Sequence, residues 1–196
     1  MATMGQARME ELPLAGVSNF LVRQRALAIG ATYDVMDENK NSLFKIKQDA
    51  SQAVGTALVG AVAGKMAKRY MKRSYEILSA DDRSVGKIAK GSGAFKAGYT
   101  IQLNDGRLIG VINTKRSLIG GLKATLVDPQ NKPMIMTKGN LIRRKYMMKD
   151  NGGNEVARVT AKLLQIRDTY KVELKTQMHP IYPLTFAIII DFQKDS

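Results

Sequence analysis

The chain has 196 residues, of which 44% are hydrophobic, and this suits a single domain with a buried core. It carries 31 Lys and Arg against 17 Asp and Glu, and the resulting net charge of +14 predicts a polyanionic partner, either nucleic acid or an anionic membrane surface. The lack of cysteine excludes disulfides, zinc–thiolate sites and cysteine catalysis, and the single histidine excludes histidine clusters.

Residues 1–19 are predicted to form a flexible tail, and residues 20–196 a single domain. The tail lacks the apolar segment that a secretory signal peptide requires. No lipidation motif is evident either. The expected location is therefore cytoplasmic, with or without peripheral attachment to a membrane.

The chain contains six related segments, each with an aromatic or small residue, an alternating stretch, a polar turn and an apolar strand. They begin at Tyr33, Tyr75, Tyr99, Ala124, Tyr146 and Tyr170. Successive starts lie 42, 24, 25, 22 and 24 residues apart, so the first two segments are separated by an insertion. In the third segment, residues 99–103 alternate with period two, and Asn104-Asp105-Gly106 follows as a turn. Each segment is thus predicted to be a pair of strands joined by a tight turn.

Residues 50–73 form the insertion and are predicted to contain an amphipathic helix with a cationic face. An uncharged run rich in Ala, Gly and Val, residues 53–64, is followed by basic residues at helical spacing. These are Lys65, Lys68, Arg69, Lys72 and Arg73. Two interpretations stay open: the apolar side packs on the domain while the cations are solvated, or the helix lies on anionic lipid.

Two more basic clusters occupy equivalent places in successive segments. Their members are Lys115, Arg116, Lys123, Arg143, Arg144 and Lys145. Because the repeat places equivalent positions at one end of the domain, these residues are candidates for a cationic rim that binds phosphate groups. A scattered, solvated surface is the alternative. Nucleic acid also fits the charge, although aromatic residues make up only 6% and no regular nucleic-acid-binding motif is present.

The candidate catalytic and metal-binding motifs fail on inspection. His179 has no second histidine or cysteine with which to form a nucleophile–base pair. The segment 37–48 begins like a calcium loop, but Ser42 and Gln48 stand where that loop needs Gly and Glu. We therefore expect a non-enzymatic protein with no cofactor and no metal site, which leaves lipid scrambling open.

The most apolar stretch is residues 184–192, which is less than half of the roughly 20 residues that a membrane span requires. It is apolar on nearly every face, which predicts a buried helix at about 182–193. About twelve strands precede it, from near Phe20 to near Lys175. Strands joined by short turns close most economically into a barrel, whereas a β-propeller would need ~40–45 residues per blade. The predicted fold is mainly β, a closed antiparallel barrel of about twelve strands around the hydrophobic C-terminal helix.

Several stretches along the chain resemble one protein family in their order and spacing. They are residues 20–24 (FLVRQ), 33–46 (YDVMDENKNSLFKI), 139–141 (GNL), Tyr146, 156–157 (VA), 167–170 (RDTY) and 187–191 (AIIID). From about residue 19 to 192, apart from the insertion at residues 50–73, the chain resembles the LURP-one-related proteins, which belong with the tubby C-terminal domains and the phospholipid scramblases. The resemblance implies a twelve-stranded barrel around a central C-terminal helix, in agreement with the strand count.

The same resemblance suggests membrane-related functions, since tubby relatives bind phosphoinositides and scramblases act at membranes. Scramblases carry an acidic, calcium-binding segment just before the last helix, whereas residues 175–180 here contain no carboxylate. Calcium-triggered activity is therefore not expected. The leading hypothesis is a peripheral module that binds anionic phospholipid or phosphoinositide headgroups and has no transmembrane span. A nucleic-acid-binding protein and an interaction scaffold are the alternatives, and the oligomeric state is not predicted.

Overall fold

The computed structural model describes residues 17–25, 31–50, 71–91, 96–116, 121–140, 144–162 and 169–194. Most of the predicted helical insertion and of the predicted N-terminal tail lies outside these residues. The strands are β1 (Asn19–Arg25), β2 (Thr32–Met36), β3 (Ser42–Gln48), β4 (Arg73–Ser79), β5 (Ser84–Lys90), β6 (Lys96–Leu103), β7 (Leu108–Arg116), β8 (Gly121–Val127), β9 (Pro133–Asn140), β10 (Lys145–Asp150), β11 (Glu155–Lys162) and β12 (Thr169–Leu174). The helix α1 (Ile181–Lys194) follows.

The strands form a closed antiparallel barrel, as predicted. Each strand pairs with its neighbours in the chain, and β1 pairs with β12 to close the ring. The first five predicted segments correspond to strand pairs, which begin in β2, β4, β6, β8 and β10. The prediction is wrong for the sixth, because it begins in β12, which pairs with β1 and is followed by the helix instead of a second strand. The five tyrosines among the six starting residues are at most 1% exposed and point into the barrel.

Tight turns close one end of the barrel, which we call the turn end. These turns connect β2 to β3, β4 to β5, β6 to β7, β8 to β9 and β10 to β11. In three of them an aspartate accepts a hydrogen bond from the backbone N–H four residues later. The three aspartates are Asp37, Asp128 and Asp150, and in each of them Oδ1 lies 2.8 Å from that backbone nitrogen. These contacts confirm the polar turns that the sequence predicts within these segments. The other ends of these strands lie at the opposite end of the barrel, which we call the far end.

Helix α1 enters the barrel at the turn end and fills its interior. Its central residues, 186–190, are at most 2% exposed, so the helix is apolar on all sides, as predicted. Pro183 lies in its first turn, where a missing backbone N–H costs no hydrogen bond. The Tyr182 hydroxyl donates to the Ile109 carbonyl at 3.0 Å and ties this end of the helix to β7. No helix among the described residues is long and apolar enough to cross a membrane.

A buried carboxylate fixes the other end of α1. Asp191 is 1% exposed; its Oδ2 accepts from the Tyr33 hydroxyl at 2.7 Å and its Oδ1 from the Tyr170 hydroxyl at 2.9 Å. Burial, and then the charge of Asp191, raises the pKa of Tyr33 well above its usual value. The two tyrosines come from β2 and β12, on either side of β1, so this contact sets how far the helix enters the barrel.

Tyr33→Phe should lower the free energy of unfolding by about 1.5–3 kcal/mol, because it removes one hydrogen bond to the buried carboxylate of Asp191. Urea titration measures the change. The matched control is Tyr146→Phe, at the equivalent place in the repeat. The Tyr146 side chain is equally buried, but its hydroxyl has no hydrogen bond within the described residues. Equal losses from both substitutions would contradict this account.

His179 lies just before α1 in a partly buried position. Its Nδ1 accepts from the Ile181 backbone N–H at 3.4 Å, and its ring packs against Tyr182 with centroids 5.6 Å apart. Burial lowers the pKa of His179 to about 4. An unfolded histidine titrates near ~6.5, so between these values the unfolded chain binds more protons than the folded one.

We therefore expect the free energy of unfolding to fall as the pH is lowered from about 6.5 towards about 4. His179→Gln should remove this part of the pH dependence, because glutamine does not titrate. Urea unfolding of both proteins at several pH values measures it. Identical pH profiles for the two proteins would show that His179 does not contribute.

Candidate anionic-ligand surface

The topology brings the described members of the predicted cationic clusters to the far end of the barrel. Arg73 begins β4, Arg116 ends β7, and Lys145 begins β10. Lys123 is the third residue of β8, and exposed Lys72 immediately precedes β4. Four predicted residues, Lys65, Lys68, Arg69 and Arg143, lie outside the described residues, whereas Lys115 and Arg144 are described. The far end is therefore rich in cations, but these point in two directions.

Arg73 points inward and requires a correction to the prediction. It is the first residue of β4 and pairs with Lys90 of β5, so it belongs to the barrel wall instead of a helical face. The alternation that buries Tyr75 and Ile77 also directs Arg73 inward, where its guanidinium carbon lies 4.9 Å from the centroid of the Phe192 ring. In the sequence, the helical spacing of the basic residues extends by chance to Arg73, although this residue begins a strand.

Arg116 also points inward. Its Nη1 donates to the backbone carbonyl of Gln193 at 2.8 Å. That carbonyl lies at the C-terminal end of α1, where the helix dipole favours positive charge. Arg73 and Arg116 therefore hold the C-terminal end of α1 in place inside the barrel, and neither presents its charge on the outer surface.

Lys90 is a third inward cation, which the sequence analysis missed. Its side chain is buried, and its Nζ donates to the carbonyls of Met71 and Gly91, both at 3.1 Å. Burial, and then the charge of Arg73, lowers the pKa of Lys90 to about 8. Three basic side chains, those of Arg73, Lys90 and Arg116, therefore point into the far end of the barrel, where α1 ends.

The outward-pointing lysines form a continuous row across three strands. Strand register places Lys115 of β7 directly opposite Lys123 of β8, and Lys123 directly opposite Lys138 of β9. All three side chains are exposed, and we call them the lysine row. Directly opposed residues have Cβ atoms about 4.5–5.5 Å apart, so three positive charges lie side by side. Exposed Lys145 adds a fourth cation on the neighbouring strand.

The lysine row has no acidic partners within the described part of the chain. No carboxylate there lies within 4.0 Å of these three amino groups. Some cations elsewhere on the outer surface do have such partners, as in Lys45 with Asp82 at 3.0 Å and Lys171 with Glu173 at 3.2 Å. Like charges directly opposite one another destabilise a sheet. The row is therefore costly to the fold and suited to an external anion.

Arg144 lies beside this surface in an uncommon backbone conformation. Its φ of 56° is in the left-handed region, which most residues avoid. Its carbonyl accepts from the Ala161 N–H at 2.9 Å, which holds Arg144 against β11. In the described residues, no three His, Asp or Glu side chains are grouped as ligands of a metal ion.

Comparison with known proteins agrees with this architecture. The model of the LURP-one-related family matches residues 18–191. The chain belongs to the LURP-one-related family. The X-ray structure of an Arabidopsis thaliana protein has the same fold, with a TM-score of 0.56 and 15% identity over 89% of this chain and 91% of that one. No curated protein matches the sequence.

In this LURP-one-related barrel, Lys115 and Arg116 are adjacent in the chain but have opposite surroundings. Arg116→Gln should lower the free energy of unfolding by about 1–2 kcal/mol, because it removes a charged hydrogen bond from the end of α1. Lys115→Gln should leave that free energy unchanged or raise it slightly, because it relieves repulsion from Lys123. Thermal and urea unfolding measure both. A larger loss from Lys115→Gln than from Arg116→Gln would contradict the assignment of inward and outward positions.

Proposed function

We propose that this chain is a non-enzymatic module that binds anionic phospholipid headgroups, phosphoinositides included, at the surface of a membrane. The observation that carries the proposal is the lysine row, three opposed and exposed lysines without carboxylate partners in the described residues. Membership of a family with a tubby-like barrel supports a binding role. The net charge of +14 supports an anionic ligand.

The expected affinity is modest and sensitive to salt. Each lysine or arginine near an anionic bilayer contributes at most ~1 kcal/mol. The lysine row together with Lys145 would therefore give weak, reversible attachment that screening by salt reduces. The insertion would add to it, because Lys65, Lys68, Arg69 and Lys72 stay predicted contributors. Arg73 and Arg116 contribute indirectly, by holding α1 in place.

Nucleic acid is the second candidate, because the lysine row could equally neutralise successive phosphates. Its binding would be recognised by a logarithmic salt dependence whose slope grows with the number of phosphates contacted. A scaffold without either ligand is the third candidate. Binding to vesicles separates the first function from the other two, and binding to RNA or DNA separates the second from the third.

Vesicle co-sedimentation tests the proposal, with phosphatidylcholine alone or mixed with phosphatidylserine or a phosphoinositide, at low and high salt. We expect binding to the anionic vesicles at low salt only. The triple substitution Lys115→Gln, Lys123→Gln and Lys138→Gln should weaken it by on the order of 100-fold, since each lysine contributes up to ~1 kcal/mol.

The matched control removes three other exposed lysines, by Lys40→Gln, Lys47→Gln and Lys87→Gln. These residues lie in the turn between β2 and β3, in β3 and in β5, so net charge falls equally while the lysine row is intact. Equal loss from both triple variants would show that only total charge matters. Failure of the unaltered chain to bind anionic vesicles at low salt would refute the proposal, and binding to RNA or DNA instead would establish the second candidate.

A further inference from the structure

Exposed methionines cluster beside the lysine row. Within the described part of the chain, the exposed large hydrophobic side chains are those of Met134 (37%), Met136 (52%) and Met147 (44%). Two lie in β9 and one in β10, which are neighbouring strands. We call these three residues the methionine patch. Single exposed hydrophobic residues are ordinary, but here they share one part of the barrel wall.

Strand register interleaves the methionine patch with lysines. Met147 lies directly opposite Lys138, and Met136 lies directly opposite Lys149. Met134, Met136 and Lys138 alternate along β9 and therefore point to the same outer face. The wall from β7 to β10 thus presents apolar side chains surrounded by positive charge.

This combination favours one class of ligand over the other. At a membrane interface, apolar side chains enter the boundary of headgroups and acyl chains while neighbouring cations meet lipid phosphates. Methionine suits such a site because its unbranched side chain adapts to irregular surroundings. A nucleic acid backbone would use the lysines and leave the methionines in water. The methionine patch therefore favours a membrane over a nucleic acid, a distinction that net charge alone does not make.

We infer that the outer wall formed by β7 to β10 is the surface that contacts the membrane, with the methionine patch inserted at the headgroup boundary. The barrel then lies on its side, with this wall against the lipid. The inference rests on the proposed function and adds to it an orientation and an apolar contribution to binding. That contribution should persist at salt concentrations that weaken the attraction between the lysines and lipid.

The absence of tryptophan from the chain allows a direct test of this orientation. Met136→Trp and Met147→Trp each place one fluorescent reporter in the methionine patch. Met36→Trp is the matched control, because Met36 ends β2 in the other half of the ring. Vesicles of phosphatidylcholine and phosphatidylserine should shift the emission of the first two variants to the blue, and lipids with brominated acyl chains should quench it. The control should show neither effect.

A second measurement separates the apolar contribution from the electrostatic one. The double substitution Met136→Ser and Met147→Ser should weaken binding to the same vesicles by on the order of tenfold, because it removes apolar surface from the contact. The loss should be as large at higher salt, in contrast to that of the lysine triple variant. Circular dichroism verifies that each variant is folded.

The outcomes distinguish this inference from the proposed function. If the unaltered chain binds anionic vesicles and the lysine triple variant loses binding, while tryptophan at 136 and 147 does not respond, the inference is overturned and the proposed function stands. An equal response at position 36 would likewise overturn the orientation. If the unaltered chain does not bind vesicles at all, the proposed function fails, and the inference fails with it.

Discussion

The width of the barrel is the constraint on which the rest of this structure depends. A ring of twelve strands encloses more space than its own side chains fill, so something apolar on every side must occupy the centre. Helix α1 meets that need, and its backbone groups are satisfied within the helix itself. Polar partners from the wall lie at both of its ends. The Tyr182 hydroxyl meets the wall at one end, while Asp191 and the carbonyl of Gln193 are bonded by wall residues at the other.

Strand alternation separates two uses of positive charge at the far end. Inward positions hold Arg73, Lys90 and Arg116. Arg73 lies over the Phe192 ring and Arg116 donates to the Gln193 carbonyl, so these two cations stabilise the end of the helix. Outward positions hold the lysine row, where like charges oppose one another and cost stability. Basic residues one position apart in the chain therefore have opposite effects on the stability of the fold. The net charge of the protein does not reveal this difference.

The fold was accessible from sequence because its main determinants are local. The repeat of buried tyrosines, the period-two alternation and the Asp- and Asn-rich turns each report on a few adjacent residues. The site was accessible only in part. Lys138 was missed because only strand register shows that it faces Lys123, and Arg73 was misassigned because helical spacing ran into a strand. The sequence placed Asp191 in an apolar helix but did not show its role. That role depends on hydrogen bonds from two tyrosines that lie 158 and 21 residues away in the chain.

The pairing of β1 with β12 also imposes an order on how the chain can fold. One edge of β1 stays unpaired until β12 has been synthesised. Helix α1, which fills the interior, is synthesised later still. Hairpins can form as they leave the ribosome, but a closed and filled barrel cannot exist before residues 181–194 are available. Folding should therefore be slow, and a nascent chain would leave the tyrosines that the barrel later buries exposed to chaperones until helix α1 has been synthesised.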